Sequence, residues 1–338
     1  MTYRESGCEK KASTEQGQEL VRSLARQADV LVENYKVGDL ARYGLGHTQL
    51  LALNPRLVYC SITGYGQDGP YASRPGYDFV FQGEGGLMSV TGEQDAKPGG
   101  GPQKVGVAVT DLTTGLYAST AILAALHHRH LTQRGQHIDL ALLDCVVALG
   151  ANQAATYLIN GTVPKRYGNA HAVAVPYQVF PTSDGHIIVA VGNDTQWRRF
   201  CEAIERPDLR DDPDYAYVVG RVAKRDILVP DIETTMKSRP KVWWLERLEK
   251  YDVPNGPIND YAEVFEHPQV RHRGARVDVP DSRGGTMPVV ANPIKLSDSP
   301  VTYRNAAPQL GENTHEVLTG MLGLSTEELE LLQRDRVI

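Results

Sequence analysis

Residues 104–144, KVGVAVTDLTTGLYASTAILAALHHRHLTQRGQHIDLALLD, decide the fold, because a short β-like run there gives way to a long amphipathic helix with an acid between them. Val105, Val107 and Val109 alternate with small residues as a buried strand does. Leu116, Ile122, Leu123 and Leu126 then recur at helical spacing behind Thr113, Thr114 and Gly115. Asp111 is thereby expected at a strand-to-helix corner, where unpaired amides and the positive end of a helix dipole favour an ionised acid. The same position suits a plain N-cap, the commoner use of Asp, and on spacing alone the cap is the better reading.

Upstream, Gln18–Ala28 reads as a helix with Leu20, Val21, Leu24 and Ala25 on one face, leading into the short strand Asp29–Asn34. A loop and a second helix follow. Leu57–Ile62 (LVYCSI) is then a buried strand, preceded by the turn signal Asn54-Pro55 and followed by the glycine-rich TGYGQDGP. Helix and strand in alternation predict an α/β sheet, and in such sheets ligands collect at the carboxyl ends of the strands. Those ends carry Glu33-Asn34-Tyr35, Thr63-Gly64-Tyr65-Gly66 and Asp111, three loops expected to converge on one crevice.

Downstream the grammar changes after about Tyr167. PYQVFPTSDGHIIVAVGND alternates as an antiparallel hairpin turning at Ser183-Asp184-Gly185, and helical segments follow around Trp197 and Trp243, so a second, smaller α+β unit is expected. Beyond Gly256 the chain is rich in Pro and Gly, ending in helices from about Asn313 to Leu322 and from about Thr326.

With 338 residues, 41% hydrophobic and 22% charged, the chain has room for about two domains and a substantial core. A net charge of −6 argues against nucleic acid as a partner and for a small-molecule substrate. Cys8, Cys60, Cys145 and Cys201 form no CxxC pair, so neither a zinc site nor a disulfide framework is indicated. The first sixteen residues hold no apolar leader-like run, and no stretch is expected to approach the roughly 18 apolar residues of a membrane span. A cytoplasmic protein with no membrane partner is the expectation.

Several motifs carry little. Gly64-Tyr65-Gly66 and Gly83-Glu84-Gly85-Gly86 match neither a P-loop nor a strand-anchored G-x-G-x-x-G, and no G-x-S-x-G elbow occurs. His127, His128 and His130 point in different directions around a helix end, which suits a solvated C-terminus better than a metal site. Trp243 and Trp244 read as packing residues. Gly192-Asn193-Asp194 reads as a plain turn of interest only if it approaches the crevice.

The segments LVENYKVGDLARYGL (31–45), NPRLVYCSITGYGQDGPY (54–71), PGYDFVFQGEGGLMSVTG (75–92), VAVTDLTTGLYASTAILAAL (107–126) and RGQHIDLALLD (134–144), with VPNGPIND and HPQVRHRG in the tail, stand in a characteristic order. Together they resemble the family III CoA-transferases, the group that includes formyl-CoA transferase, carnitine CoA-transferase and succinate–hydroxymethylglutarate CoA-transferase. The resemblance implies a Rossmann-like open parallel sheet as the large domain (1–165), a small α+β domain (175–260), and a return segment (261–338) that rejoins the large domain. It further implies interlocked homodimers, with acyl-CoA and small carboxylic acids, dicarboxylates such as succinate among them, as substrates.

By the same likeness Asp111 takes the position of the family's catalytic aspartate, which overrides the cap-only reading. Its chemistry is nucleophilic: the carboxylate attacks the donor thioester, and CoA becomes esterified to the aspartate during turnover. Asn34, Tyr35, Arg42 and Tyr77 are implied to line the CoA site, Asp78 to stand as an acidic residue near the reaction centre, and Gly192 and Asn193 to match a glycine loop of the small domain. No metal is implied. Related α-methylacyl-CoA racemases carry His-Asp where this chain has Tyr77-Asp78, which favours transfer over epimerisation; an inactive CoA-binding remnant is the third reading. Relatives begin with a further strand–helix–strand segment, and residues 1–14 fit the family poorly, so an N-terminally incomplete sheet with an exposed edge is expected.

Overall fold

The computed structural model describes residues 12–282 and 284–338, so expectations on residues 1–11, Cys8 included, lie outside the described residues. Helix α1 (Glu15–Gln27) begins at Thr14, whose side chain accepts from the Gly17 amide, and turns Ala25 and Val21 into a core with Leu45, Leu50 and Leu57. Three parallel strands follow the alternation read from the sequence: β1 (Val30–Glu33), β2 (Val58–Thr63) and β3 (Gln136–Ala141), ordered β1-β2-β3. A one-turn 3-10 helix (Ala41–Tyr43) and α2 (His47–Leu53) lie between β1 and β2. Between β2 and β3 come α3 (Asp78–Glu84), α4 (Leu87–Val90) and α5 (Val109–Thr132), after which α6 (Leu142–Leu149) and α7 (Ala151–Asn160) continue from β3. Central β2 buries Val58, Tyr59, Cys60 and Ser61 in succession, the pattern of a strand covered on both faces.

The stretch 105–109 corrects the sequence reading. No strand forms there, because none of the described strands lies alongside to complete a ladder: the Val105 amide donates instead to the Gln82 side chain (2.8 Å), and Val107 is exposed. The helix begins at Val109, which makes Asp111 its third residue rather than its cap or a strand-end residue. At 24 residues α5 is also long and apolar enough, by length and composition, to cross a membrane, contrary to the expectation that no stretch comes near that measure. Here it lies against β2 and β3, burying the small residues Thr114, Ala118 and Ala125 and leaving Leu112, Leu116 and Leu123 exposed.

The far end of α5 is tied to the start of the sheet. Gln133 takes the left-handed conformation (φ 62°) and its amide donates to the Arg129 carbonyl (2.7 Å), closing the helix. Arg129 pairs with Asp29 (2.9 Å) and donates to the Arg56 carbonyl (3.2 Å), so it grips the residues before β1 and β2 together. Gly135 passes so close to the chain before β2 that a Cβ there would lie 1.9 Å from the Leu57 carbonyl oxygen.

The smaller unit pairs β4 (Tyr177–Thr182) and β5 (Gly185–Ala190) antiparallel about Ser183-Asp184, close to the hairpin read from sequence. Helices α8 (Asp194–Ala203), α9 (Pro207–Asp211), α10 (Val218–Ala223), α11 (Arg225–Met236) and α12 (Lys241–Lys250) follow, and β6 (Asn255–Pro257) joins β5. Trp197, Phe200, Ile187, Leu228, Ile232 and Leu248 form its core. Arg221 lies within it, 0% exposed, donating to the Val175 and Tyr215 carbonyls (2.8 Å each) and pairing with Asp194 (2.9 Å). Beyond it come α13 (Tyr261–Glu266), α14 (Pro268–His272), the hairpin β7 (Arg276–Pro280) and β8 (Thr286–Val290), then α15 (Thr314–Leu322) and α16 (Thr326–Arg334). Gln27 of α1 donates to the Met321 carbonyl of α15 (2.9 Å).

Candidate active site

Phe81 sets the position of α3. Its ring is fully buried with Leu142 and Val146, and Gly64 from the loop after β2 and Gly76 just before α3 both press on it. A Cβ on Gly76 would fall 2.2 Å from the ring, and one on Gly64 2.7 Å. This anchoring places Tyr77 at the N-cap position, 81% exposed as a residue, and Asp78 as the first residue of the helix.

Asp78 then reaches across to α5. Its Oδ1 accepts from the Thr110 amide (2.8 Å) and the Asp111 amide (3.4 Å), while Oδ2 accepts from Gln82 Nε2 (2.7 Å). Ala108, at the cap position of α5, offers no side-chain bond, so Asp78 serves as the helix's cap from outside it. Asp111 itself is exposed, and its carboxylate has no hydrogen-bond or ion-pair partner among the described contacts. The surrounding protein, and then the Asp78 carboxylate, push its pKa above the ordinary aspartate value, which corrects the expectation that helix dipole and free amides would favour the charged form. Thr110 beside it is fully buried, with a hydroxyl that has no partner.

A second cluster stands on one face of the sheet. Glu33 at the end of β1 accepts from the Tyr35 amide (2.8 Å) and bonds the Ser61 hydroxyl, and burial pushes its pKa up. Ser61 lies 3.0 Å from His137 Nε2, and His137 stacks on His47 with ring centres 3.9 Å apart. Burial and then His47 hold His137 below the ordinary histidine value. The strand reading missed this group because Ser61 and His137 lie within runs that read as core. Of the three loops expected to converge, the described bonds knit 77–82 to 105–111 and stack the 63–66 loop on Phe81; the end of β1 is bound into the Glu33–Ser61 cluster. Arg42 pairs with Asp39 (3.6 Å) and lies over the Tyr43 ring.

In the small unit, Asn193 caps α8 by accepting from the Gln196 amide (2.9 Å), and the Gly192 amide donates to Gln196 Oε1 (2.8 Å). His127, His128 and His130 are exposed on the last turns of α5. A groove of about 620 Å³ lies away from Asp111, between α1 and the helices α15 and α16, and contains none of the predicted site residues.

CoA-transferase family III covers residues 12–314. The chain belongs to CoA-transferase family III. It is an enzyme of the acyl-CoA:carboxylate CoA-transferase class, with CoA thioesters as substrates. Over 321 residues it is 47% identical to the succinate–glutarate CoA-transferase of Agrobacterium fabrum, covering 95% of this chain and 77% of that protein. The succinyl-CoA:glutarate CoA-transferase of Homo sapiens is 39% identical over 306 residues, 90% of this chain and 69% of its own length. The crystal structure of a CAIB/BAIF family protein from Brucella suis superposes with a TM-score of 0.80 at 44% identity, covering 92% of this chain and 80% of that one. The α/β architecture with a parallel sheet is therefore shared with solved members of the family.

Proposed function

We propose that this family III CoA-transferase moves CoA between dicarboxylic acids, succinate and glutarate among them, by nucleophilic catalysis at Asp111. The observation that carries the proposal is the exposed, unpartnered Asp111 carboxylate, standing on a helix start that Asp78 caps. The names of the succinate–glutarate and succinyl-CoA:glutarate relatives support the acid class.

The steps balance without an added reactant. An Asp111 oxygen attacks the donor thioester carbonyl, the C–S bond breaks, and CoA thiolate leaves behind an acyl-aspartyl anhydride. The thiolate attacks the aspartyl carbonyl of that anhydride, expelling the donor acid and leaving an aspartyl-CoA thioester. The acceptor carboxylate attacks this thioester and releases the thiolate, which then attacks the acyl carbonyl of the new anhydride to give the new acyl-CoA and free Asp111. Each intermediate is an activated acyl group that water would hydrolyse, so the site must close around it. Asn34, Tyr35, Arg42 and Tyr77 are assigned to the CoA side, where the Arg42 guanidinium supplies charge for nucleotide phosphates and the exposed Tyr77 ring an apolar face. Gly192 and Asn193 are assigned a supporting role; their bonds to α8 fix that corner rather than favour a mobile lid.

Incubation with succinyl-CoA followed by hydroxylamine should leave a hydroxamate on Asp111, detected by peptide mass spectrometry. Asp111→Asn should lose both the adduct and transfer to glutarate, and a variant that transfers CoA at the parental rate would sink the proposal. Deuterium entering the α-carbon of the acyl group, with no acceptor acid present, would instead favour the racemase reading.

The assembly is assigned as a homodimer, supported by exposed apolar residues on α5 (Leu116, Leu123) and α7 (Leu158, Ile159). A cytoplasmic location is assigned on the free, buried thiols of Cys60, Cys145 and Cys201. Thiol titration of freshly isolated, denatured protein should find these three reduced.

A further inference from the structure

We propose that Gln82 is a positioning residue for the transfer reaction, setting Asp111 through Asp78 and through the loop that precedes α5. The proposal rests on the reading of Asp111 as the nucleophile. Gln82 is 0% exposed, and a buried side-chain amide is kept only where its bonds are made. Its orientation is dictated by its surroundings. The Val105 amide can only donate, so Oε1 must face it (2.8 Å), which leaves Nε2 to donate to Asp78 Oδ2 (2.7 Å). The other Asp78 oxygen accepts from the amides of Thr110 and Asp111. A continuous series of hydrogen bonds thus runs from the 105 loop through the buried amide to Asp78, whose carboxylate accepts from Gln82 on one side and from the backbone of Thr110 and Asp111 on the other.

The nearest polar replacements do not serve this series. Asn at 82 is one methylene too short to span both partners, and ionised Glu offers an acceptor where Asp78 needs a donor. The start of α5 has no cap of its own, so the clamp from α3 fixes where the Asp111 carboxylate stands. Four attacks must pass through that carboxyl group in turn, and a displacement of about 1 Å at a reacting centre costs on the order of 100-fold in rate. Loosening the clamp should therefore lower kcat more than it weakens the affinity for the CoA thioester.

The test uses the full chain with succinyl-CoA as donor and glutarate as acceptor, comparing the parent with Gln82→Met and Asp78→Asn. Met matches the shape of Gln without its polar atoms. Gln82→Met is expected to lower kcat about tenfold or more, with the KM for succinyl-CoA held within about twofold. Asp78→Asn is expected to lower kcat and to move the acidic limb of the kcat/KM profile to lower pH, because a neutral amide replaces the charge beside Asp111. A merely structural role would not move that limb. If Gln82→Met does not fold, as read by near-UV circular dichroism, Gln82→Asn, one methylene short of spanning both partners, takes its place and is read for the same split of kcat against KM.

Folded variants with parental kcat and pH profile overturn the inference, as does a rise in KM with kcat unchanged. A parent that yields no Asp111 hydroxamate overturns the nucleophile reading, and this inference with it. A parent that yields the hydroxamate alongside variants at parental rates overturns the inference alone.

Discussion

Asp111 combines two properties that pull against each other. In the proposed mechanism its carboxylate must be ionised to attack, yet the protein around it and the neighbouring Asp78 raise its pKa. A more basic carboxylate is a better nucleophile once deprotonated, so the strain on the charged form is of use to the chemistry. The sign of its effect on stability follows. A carboxyl whose folded pKa lies above its unfolded value binds its proton more tightly in the fold, so the penalty is present above the folded pKa and vanishes below the unfolded one. Asp111→Asn should therefore melt at a higher temperature than the parent at pH 7, and the difference should close as the pH is lowered through the ordinary aspartate range. Glu33 obeys the same sign, raised by burial. Glu33→Gln keeps an acceptor for the Tyr35 amide, and by thermal melting it should gain stability at neutral pH and lose that gain on acidification.

Among the elements, α3 matters more than its seven residues suggest, because it carries Tyr77, Asp78 and Gln82 into one place. Gly76→Ala would drive a methyl into the buried Phe81 ring and should cost about 1–3 kcal/mol in urea unfolding, with a loss of kcat as Asp78 moves off the start of α5. α1, the hairpin at Ser183-Asp184 and the two C-terminal helices were legible in the sequence because each declares itself locally, by period, turn residues or cap. The 105–109 run was misread for the converse reason. Alternating valines state a preference, but a strand exists only where another edge offers hydrogen bonds, and that edge is not written in the run itself. The partners of Asp78 and Gln82 are equally remote, 32 and 23 positions along the chain, so the acid was legible as a candidate while the clamp that holds it was not.

Across the whole molecule, three core clusters among the described residues share one chain. The small unit closes around Arg221, whose removal would leave two buried carbonyls without their donor; Arg221→Ala should destabilise by about 3 kcal/mol in chemical unfolding, with the hairpin's amide protection lost first. The large unit leaves apolar side chains of α5 and α7 in the open. Light scattering should accordingly find twice the 37.1 kDa mass of the chain, and Leu116→Glu should shift it toward the single-chain mass if that face is the contact.

The grip of Arg129 on Asp29 has a mechanical meaning for a residue at the opposite tip of the same helix. The 18 residues from Arg129 back to Asp111 span about 27 Å of helix, so a tilt of only about 1° at the Arg129 pivot swings Asp111 by about 0.5 Å. A lever of that length turns a small slackening at the base of the sheet into a displacement of the proposed nucleophile. Arg129→Ala should therefore lower the transfer rate although Arg129 stands about 27 Å along the helix from Asp111.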